Sequence, residues 1–181
     1  MTVSAISFQQ HLLQLIPTFT NRGILCELVE VFEPILQLQW QAKPYSDEKT
    51  SFEEDESEMI YVLPDVSVQA WIRFSPSFQV PQFFFQLYSN GCFPLTKLEN
   101  VTALLRPENR ELAMDALAIG DCPASNGIAW YVHPCCTQTF FQTAQVSKQD
   151  TSYLPMWILY IHRLLSPITT PMIEALDDKS S

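Results

Sequence analysis

Apolar positions recur with a helical period at the start of the chain. Phe8, Leu12, Leu15 and Ile16 fall at i, i+4, i+7 and i+8, one stripe of a 3.6-residue repeat. This predicts a helix over residues 4–16, stopped by Pro17 and then by Asn21-Arg22-Gly23. Residues 24–40 are rich in β-formers and alternate through Ile35-Leu36-Gln37-Leu38-Gln39-Trp40. Pro34 splits them into two strands or one bulged edge strand. Residues 60–74 follow a period of two. Val66, Val68, Ala70, Ile72 and Phe74 share one face, and Asp65, Ser67, Gln69, Trp71 and Arg73 share the other. Ser75-Pro76-Ser77 turns the chain into a strand over 80–88, with Phe83, Phe85 and Leu87 on one side and a tight-turn signal at Asn90-Gly91.

The second half changes period. Thr96 and Glu99 read as a capping box ahead of a helical stripe of Leu98, Val101, Thr102 and Leu105. A second helix is predicted over 107–119, a loop over 120–127 and a short apolar strand over 128–132. A last helix covers roughly 152–165, with Trp157, Tyr160, Ile161 and Leu164 on one face and Pro167 as its stop. The order predicts an α+β architecture, an antiparallel meander with helices packed on one face. One domain is placed at residues 1–171, with an acidic loop at 44–58 and a frayed tail at 172–181.

Composition narrows the picture. The chain has 181 residues, 47% hydrophobic and 17% charged, enough to bury a real core. The net charge is −10, and seven of the twenty acids lie between residues 46 and 58. A chain this acidic is a poor electrostatic partner for nucleic acid or an anionic membrane. The longest apolar run is nine residues, 153–161, with Pro155 inside it, against about 20 for a membrane span, so no transmembrane segment is expected. The five cysteines (Cys26, Cys92, Cys122, Cys135, Cys136) are odd in number and follow no secretory signal. The thiols are therefore expected to be reduced and the protein intracellular. Without a Cys-x-x-Cys pair, and with His11, His133 and His162 scattered, neither a metal nor a cofactor is expected.

The stretch Trp130-Tyr131-Val132-His133-Pro134-Cys135-Cys136-Thr137 carries the chemistry. An apolar strand ends in a rigid proline and presents a thiol at its exit, on a fixed backbone as a nucleophile requires. Free cysteines are commonly small core hydrophobes, and composition alone leaves that reading open. Between Gly120 and Asp150 the formal charges are Asp121, Lys148 and Asp150, and His133 is the sole imidazole. A cysteine hydrolase needs a base beside its thiol. An enzyme that receives an acyl group already activated as a thioester needs less, and any general base then serves the incoming amine. The fold could also bring His11 or His162 to Cys135.

His133-Pro134-Cys135 at the end of a strand resembles the His-Pro-Cys signature of the autophagy E2-like conjugating enzymes. Two further stretches agree: Ser77-Phe78-Gln79-Val80-Pro81-Gln82-Phe83-Phe84-Phe85 with Gly91-Cys92-Phe93-Pro94-Leu95-Thr96, and the tyrosine-containing apolar segment 153–167. The resemblance covers roughly 66–171. Modest length and the lack of a long flexible insertion favour the shorter branch of the family over its relative, autophagy-related protein three. The resemblance implies a variant ubiquitin-conjugating fold. It implies that Cys135 takes a ubiquitin-like modifier, autophagy-related protein twelve, from the E1-like protein seven. It further implies transfer to a lysine of protein five through an isopeptide bond, in the cytoplasm and at autophagosome assembly sites.

Ubiquitin-type E2 enzymes carry His-Pro-Asn with the nucleophile several residues later, whereas here Cys135 occupies the Asn slot. Asn126, Tyr131, Thr137 and Gln138 are the candidates for a replacement oxyanion donor. His133 and Pro134 are expected to shape the loop. Cys135 and Cys136, on an extended backbone, would point opposite ways, one to the pocket and one to the core. Phe83, Phe84 and Phe85 are read as strand core, Trp71 and Arg73 as solvated or helix-covered, Ile35–Trp40 as a candidate edge for strand pairing, and His162 as an ordinary helix residue. The competing functions are a non-catalytic adaptor on the same fold and a cysteine hydrolase.

Overall fold

A computed structural model describes residues 5–30, 33–45, 65–89, 94–125, 127–144 and 153–177. Six strands form one antiparallel sheet: β1 (Leu25–Glu30), β2 (Pro34–Ala42), β3 (Val66–Ser75), β4 (Val80–Ser89), β5 (Leu117–Asp121) and β6 (Ile128–Val132). Their spatial order is β1-β2-β3-β4-β6-β5. The first four make the meander that the period-two pattern predicts. β3 and β4 pair along their whole length through the turn at Ser75–Val80, with Ala70 opposite Phe85 and Trp71 opposite Phe84. β6 then pairs with β4 through Phe84–Tyr131 and Phe85–Trp130.

Six helices pack on one face: α1 (Ala5–Thr20), α2 (Leu98–Ala103), α3 (Pro107–Ala116), α4 (Pro134–Ala144), α5 (Tyr153–Leu165) and α6 (Thr170–Asp177). All contribute to one continuous core. It includes Phe8, Leu12 and Phe19 of α1, Trp157 and Ile161 of α5, and the inward side chains Leu38, Ala70, Ile72, Phe83, Phe85 and Trp130 of the sheet. The predicted stripes of α1 and α5 are the faces they bury. The Trp40 indole N–H donates to the Ile168 carbonyl at 2.9 Å, fastening the end of the chain to β2.

The structure corrects several expectations. α1 passes through Pro17 and ends at Thr20. Pro17 and Leu13 sit on the solvent side, where the carbonyl that the missing N–H would have bonded is open to water. The helix stops at Gly23, whose φ of +74° supports the closing bonds from Gly23 N–H to Thr20 O and from Ile24 N–H to Phe19 O. Lys97, not Thr96, caps α2, and no side-chain cap forms. Residues 117–121, expected to finish α3 and open a loop, instead form β5, because Leu117–Asp121 pairs residue for residue with Val132–Ile128. Residues 172–177 are not a frayed tail. They belong to α6, where Met172 and Ala175 are wholly buried. Ile35–Trp40 is interior, because β1 covers its outer side and takes the edge itself. Residues 46–58 of the acidic loop, the start of the strand predicted from residue 60, and the Asn90-Gly91 turn lie outside the described residues.

Among the described residues, no helix packs on the opposite face of the sheet. There Ile35, Trp71, Phe84, Cys122 and Ala129 form a small second cluster, flanked by Ala124 and Tyr131. Trp71, expected to be solvated or helix-covered, is 1% exposed in this cluster and donates its indole N–H to Gln37 Oε1 at 3.2 Å. The Arg73 guanidinium lies 4.8 Å from the centre of the Phe84 ring, and its Nε–H donates to Gln82. Phe83 and Phe85 are core as expected, and Phe84 is buried on this second face.

Candidate active site

β6 delivers the chain to the site. His133 N–H donates to the Ala116 carbonyl at 2.9 Å, which extends the β5–β6 ladder by one bond and fixes the exit of the strand. Pro134 then opens α4. Proline suits a first helical position, having the φ of a helix and no N–H to leave unpaired. His133 acts as the cap: its Nδ1 accepts the Cys135 N–H at 3.2 Å, and its carbonyl accepts the Cys136 N–H at 3.0 Å. Cys135 and Cys136 therefore sit in the first turn of a helix, and the extended backbone expected of them is overturned. Their side chains diverge by about 100° around the helix, not 180°, and the two sulfurs lie 3.9 Å apart.

The two thiols differ in surroundings. Cys135 is exposed. Its Sγ lies 2.6 Å from His133 Nδ1, and the first turn of α4 sets the positive end of the helix dipole beside it. Cys136 is half-buried against the main core. Burial pushes its thiol up, and the neighbouring Cys135 and Asp115 add to the effect, so Cys136 stays protonated at neutral pH. Tyr160 of α5 stacks on Phe140 of α4 at 4.4 Å and holds the helix down. Burial, then the nearby thiols, raise its phenol to about 12, which keeps it neutral.

The imidazole at Cys135 is His133's own. His162 instead meets Thr169 Oγ1 at 3.1 Å as an ordinary residue of α5, and His11 lies on α1. Beyond the loop-shaping expected of it, His133 caps α4 and touches Sγ, and the sequence signal for this is the spacing: two residues apart across a proline that starts a helix. His133 is also framed by aromatic rings, Tyr131 at 6.2 Å and Phe78 edge-on at 6.1 Å. Of the expected oxyanion donors, Thr137 is 1% exposed on the core side of α4. Tyr131 lies on the second face of the sheet, Gln138 is half-buried on α4, and Asn126 falls outside the described residues.

Residues 8–171 match the family model described as autophagocytosis associated protein, active-site domain. The chain belongs to this family. A curated member of it, the ubiquitin-like-conjugating enzyme ATG10 of Schizosaccharomyces pombe (strain 972 / ATCC 24843), is 48% identical over 175 residues, covering 96% of this chain and 98% of that protein. The crystal structure of the autophagic E2 Atg10 superposes with a TM-score of 0.50 at 16% identity, over 92% of this chain and 98% of that one. That likeness shows the E2-like fold of the autophagy active-site family, α+β with one antiparallel sheet, and the relative places the chain in the shorter branch. Among the described residues no helix is long and apolar enough to cross a membrane.

Proposed function

We propose that this protein is an E2-like conjugating enzyme of autophagy, an acyltransferase whose nucleophile is Cys135. The observation that carries the reading is an exposed sulfur in the first turn of α4 with an imidazole nitrogen 2.6 Å away. A ubiquitin-like modifier, autophagy-related protein twelve, arrives as a thioester on the E1-like protein seven. The Cys135 sulfur attacks the carbonyl carbon, His133 Nδ1 takes the thiol proton, and the E1 sulfur leaves and is protonated in turn. One thioester breaks as another forms, so the exchange is close to isoenergetic and needs no further activation.

Once acylated, Cys135 has no thiol proton, and Nδ1 can take a proton in the second step by giving up its bond to the Cys135 N–H. The amine of a lysine on the acceptor, autophagy-related protein five, attacks the same carbonyl. His133 accepts the proton that the amine sheds, and the Cys135 thiolate departs with the isopeptide bond made. Cys136, protonated and packed inward, takes no part. The protein would act in the cytoplasm, recruited to autophagosome assembly sites. Incubation with the E1-like enzyme, modifier and ATP should give an adduct on a non-reducing gel that thiols remove. The adduct should survive Cys136→Ala, vanish with Cys135→Ala and become a thiol-resistant oxyester with Cys135→Ser. An adduct that persists in Cys135→Ala overturns the assignment, and no adduct in any variant would point to a non-catalytic adaptor.

A further inference from the structure

His133 continues β6 by one bonded residue, so Tyr131 and His133 share the second face of the sheet. Their rings stand 6.2 Å apart and 34° from parallel. Both hydrogen-bond contacts that the described residues give His133 are at Nδ1, to the Cys135 N–H and to Sγ. In acyl-transfer sites the base is commonly oriented by a third group bonded to its other nitrogen. Here the ring's further contacts are aromatic, with Tyr131 and with the edge-on Phe78. We propose that Tyr131 is a positioning residue for the loading step: its ring fixes the plane of the His133 imidazole so that Nδ1 meets the Cys135 sulfur. The role rests on the thioester reading above and deepens it.

The imidazole needs such a guide. Its χ2 torsion is broad, so the torsion alone does not aim the ring. Nδ1 lies 2.6 Å from Sγ and 3.2 Å from the Cys135 nitrogen, and a turn of the ring about Cβ–Cγ would lose both.

Tyr131 can guide because it is itself held. Across the strand pair it faces Phe84, whose ring lies 5.4 Å away at 33°. Phe84 is buried in turn, with the Arg73 guanidinium 4.8 Å from its centre. On the β5 side Tyr131 rests on Gly120, where a methyl group would lie 3.1 Å from Tyr131 Cε1. The bare glycine leaves the room that the ring occupies. Arg73, Phe84, Tyr131 and His133 thus form one row across the open face, from β3 to the sulfur. Phe78, by contrast, belongs to the exposed β3–β4 turn.

The test is single-turnover loading of Cys135 from the E1-bound modifier, read over time on a non-reducing gel. Tyr131→Leu keeps an apolar side chain and removes the ring. It should slow loading by about tenfold, inside the range of about 10²-fold that a 1 Å misplacement can cost. Tyr131→Phe keeps the ring and should load within about twofold of wild type. Gly120→Ala touches neither the thiol nor the imidazole, yet it displaces the tyrosine ring and should slow loading by about threefold. Melting curves check that each variant folds. In a His133→Ala background, Tyr131→Leu and Gly120→Ala should add no further loss, because both act through the imidazole. Wild-type loading in Tyr131→Leu, or the same loss with and without His133, overturns the proposal. So does slow loading in Tyr131→Phe, which would give the hydroxyl the oxyanion role. Those outcomes remove the role of Tyr131 alone. Unchanged loading in His133→Ala strikes the base assignment, and no adduct on the wild type strikes the thioester reading; either takes the role with it.

Discussion

The two faces of the sheet differ in kind. One is sealed by six helices around a core that runs from Phe8 to Ala175. The other carries a small apolar cluster around Trp71 and Phe84, has no helix against it among the described residues, and opens into a cavity. The adjacent cysteines straddle this divide. Cys136 turns to the sealed side and is held protonated, while Cys135 stays in the open beside His133. A single step along one helical turn separates packing from chemistry. The difference teaches that substitutions on the helix side should move stability, and those on the open side should move rates.

The sharpest way to break the contrast is His133→Ala. It should slow single-turnover loading by about 10²–10⁴, the usual range for a positioned general base, while stability falls by only about 1 kcal/mol from the lost cap on α4. Retained speed would reduce His133 to a helix cap. On the sealed face, Phe83→Ala should cost about 3–5 kcal/mol in urea unfolding, because the ring is 1% exposed between Phe85 and Trp157. Phe78→Ala, on the open side and 36% exposed, should change stability by about 0.5 kcal/mol or less. Equal costs for the two phenylalanines would erase the distinction between the faces. Trp40→Phe removes the bond to the Ile168 carbonyl and leaves a buried acceptor unpaired. A loss of about 1–3 kcal/mol is expected by the same measurement, with loading unaffected.

The smallest effect is in pH. Burial, and secondarily Arg106, lowers the His162 pKa in the folded protein below its ordinary 6.5. The unfolded chain then binds the proton first as the solution is acidified. The stability tied to this group is complete above about pH 6.5 and falls as pH drops from there toward the folded value. His162→Gln cannot titrate and should flatten that slope. An unchanged slope would assign the acid sensitivity elsewhere.

Much of the sealed face was legible because it repeats. Val66 to Phe74 alternates over enough positions that only one register buries all of its apolar set, and α5 shows its stripe plainly. The open face and the site corner were harder to read. β5 is five residues that look like the end of α3, and only pairing with β6 makes them a strand. Trp71 looked solvated because its neighbours Ser67, Gln69 and Arg73 are polar, and the cluster that buries it is assembled from β2, β4, β6 and the loop after β5. Cys135 is legible as the proposed nucleophile from its motif. The helix beneath it is not legible, because Pro134 reads as a breaker in sequence yet serves as a first helical residue. The contact to His133 follows from that helix.

Seating the proposed nucleophile in a helical turn has a mechanical corollary. The main chain under the sulfur is pinned by the His133 cap and the β5–β6 exit, so a cargo esterified there swivels about little more than the side chain's own bonds. It sweeps a narrow cone instead of roaming on a tether. The lysine that collects it must be carried into that cone by the acceptor's own docking, and selectivity among lysines becomes a matter of aim.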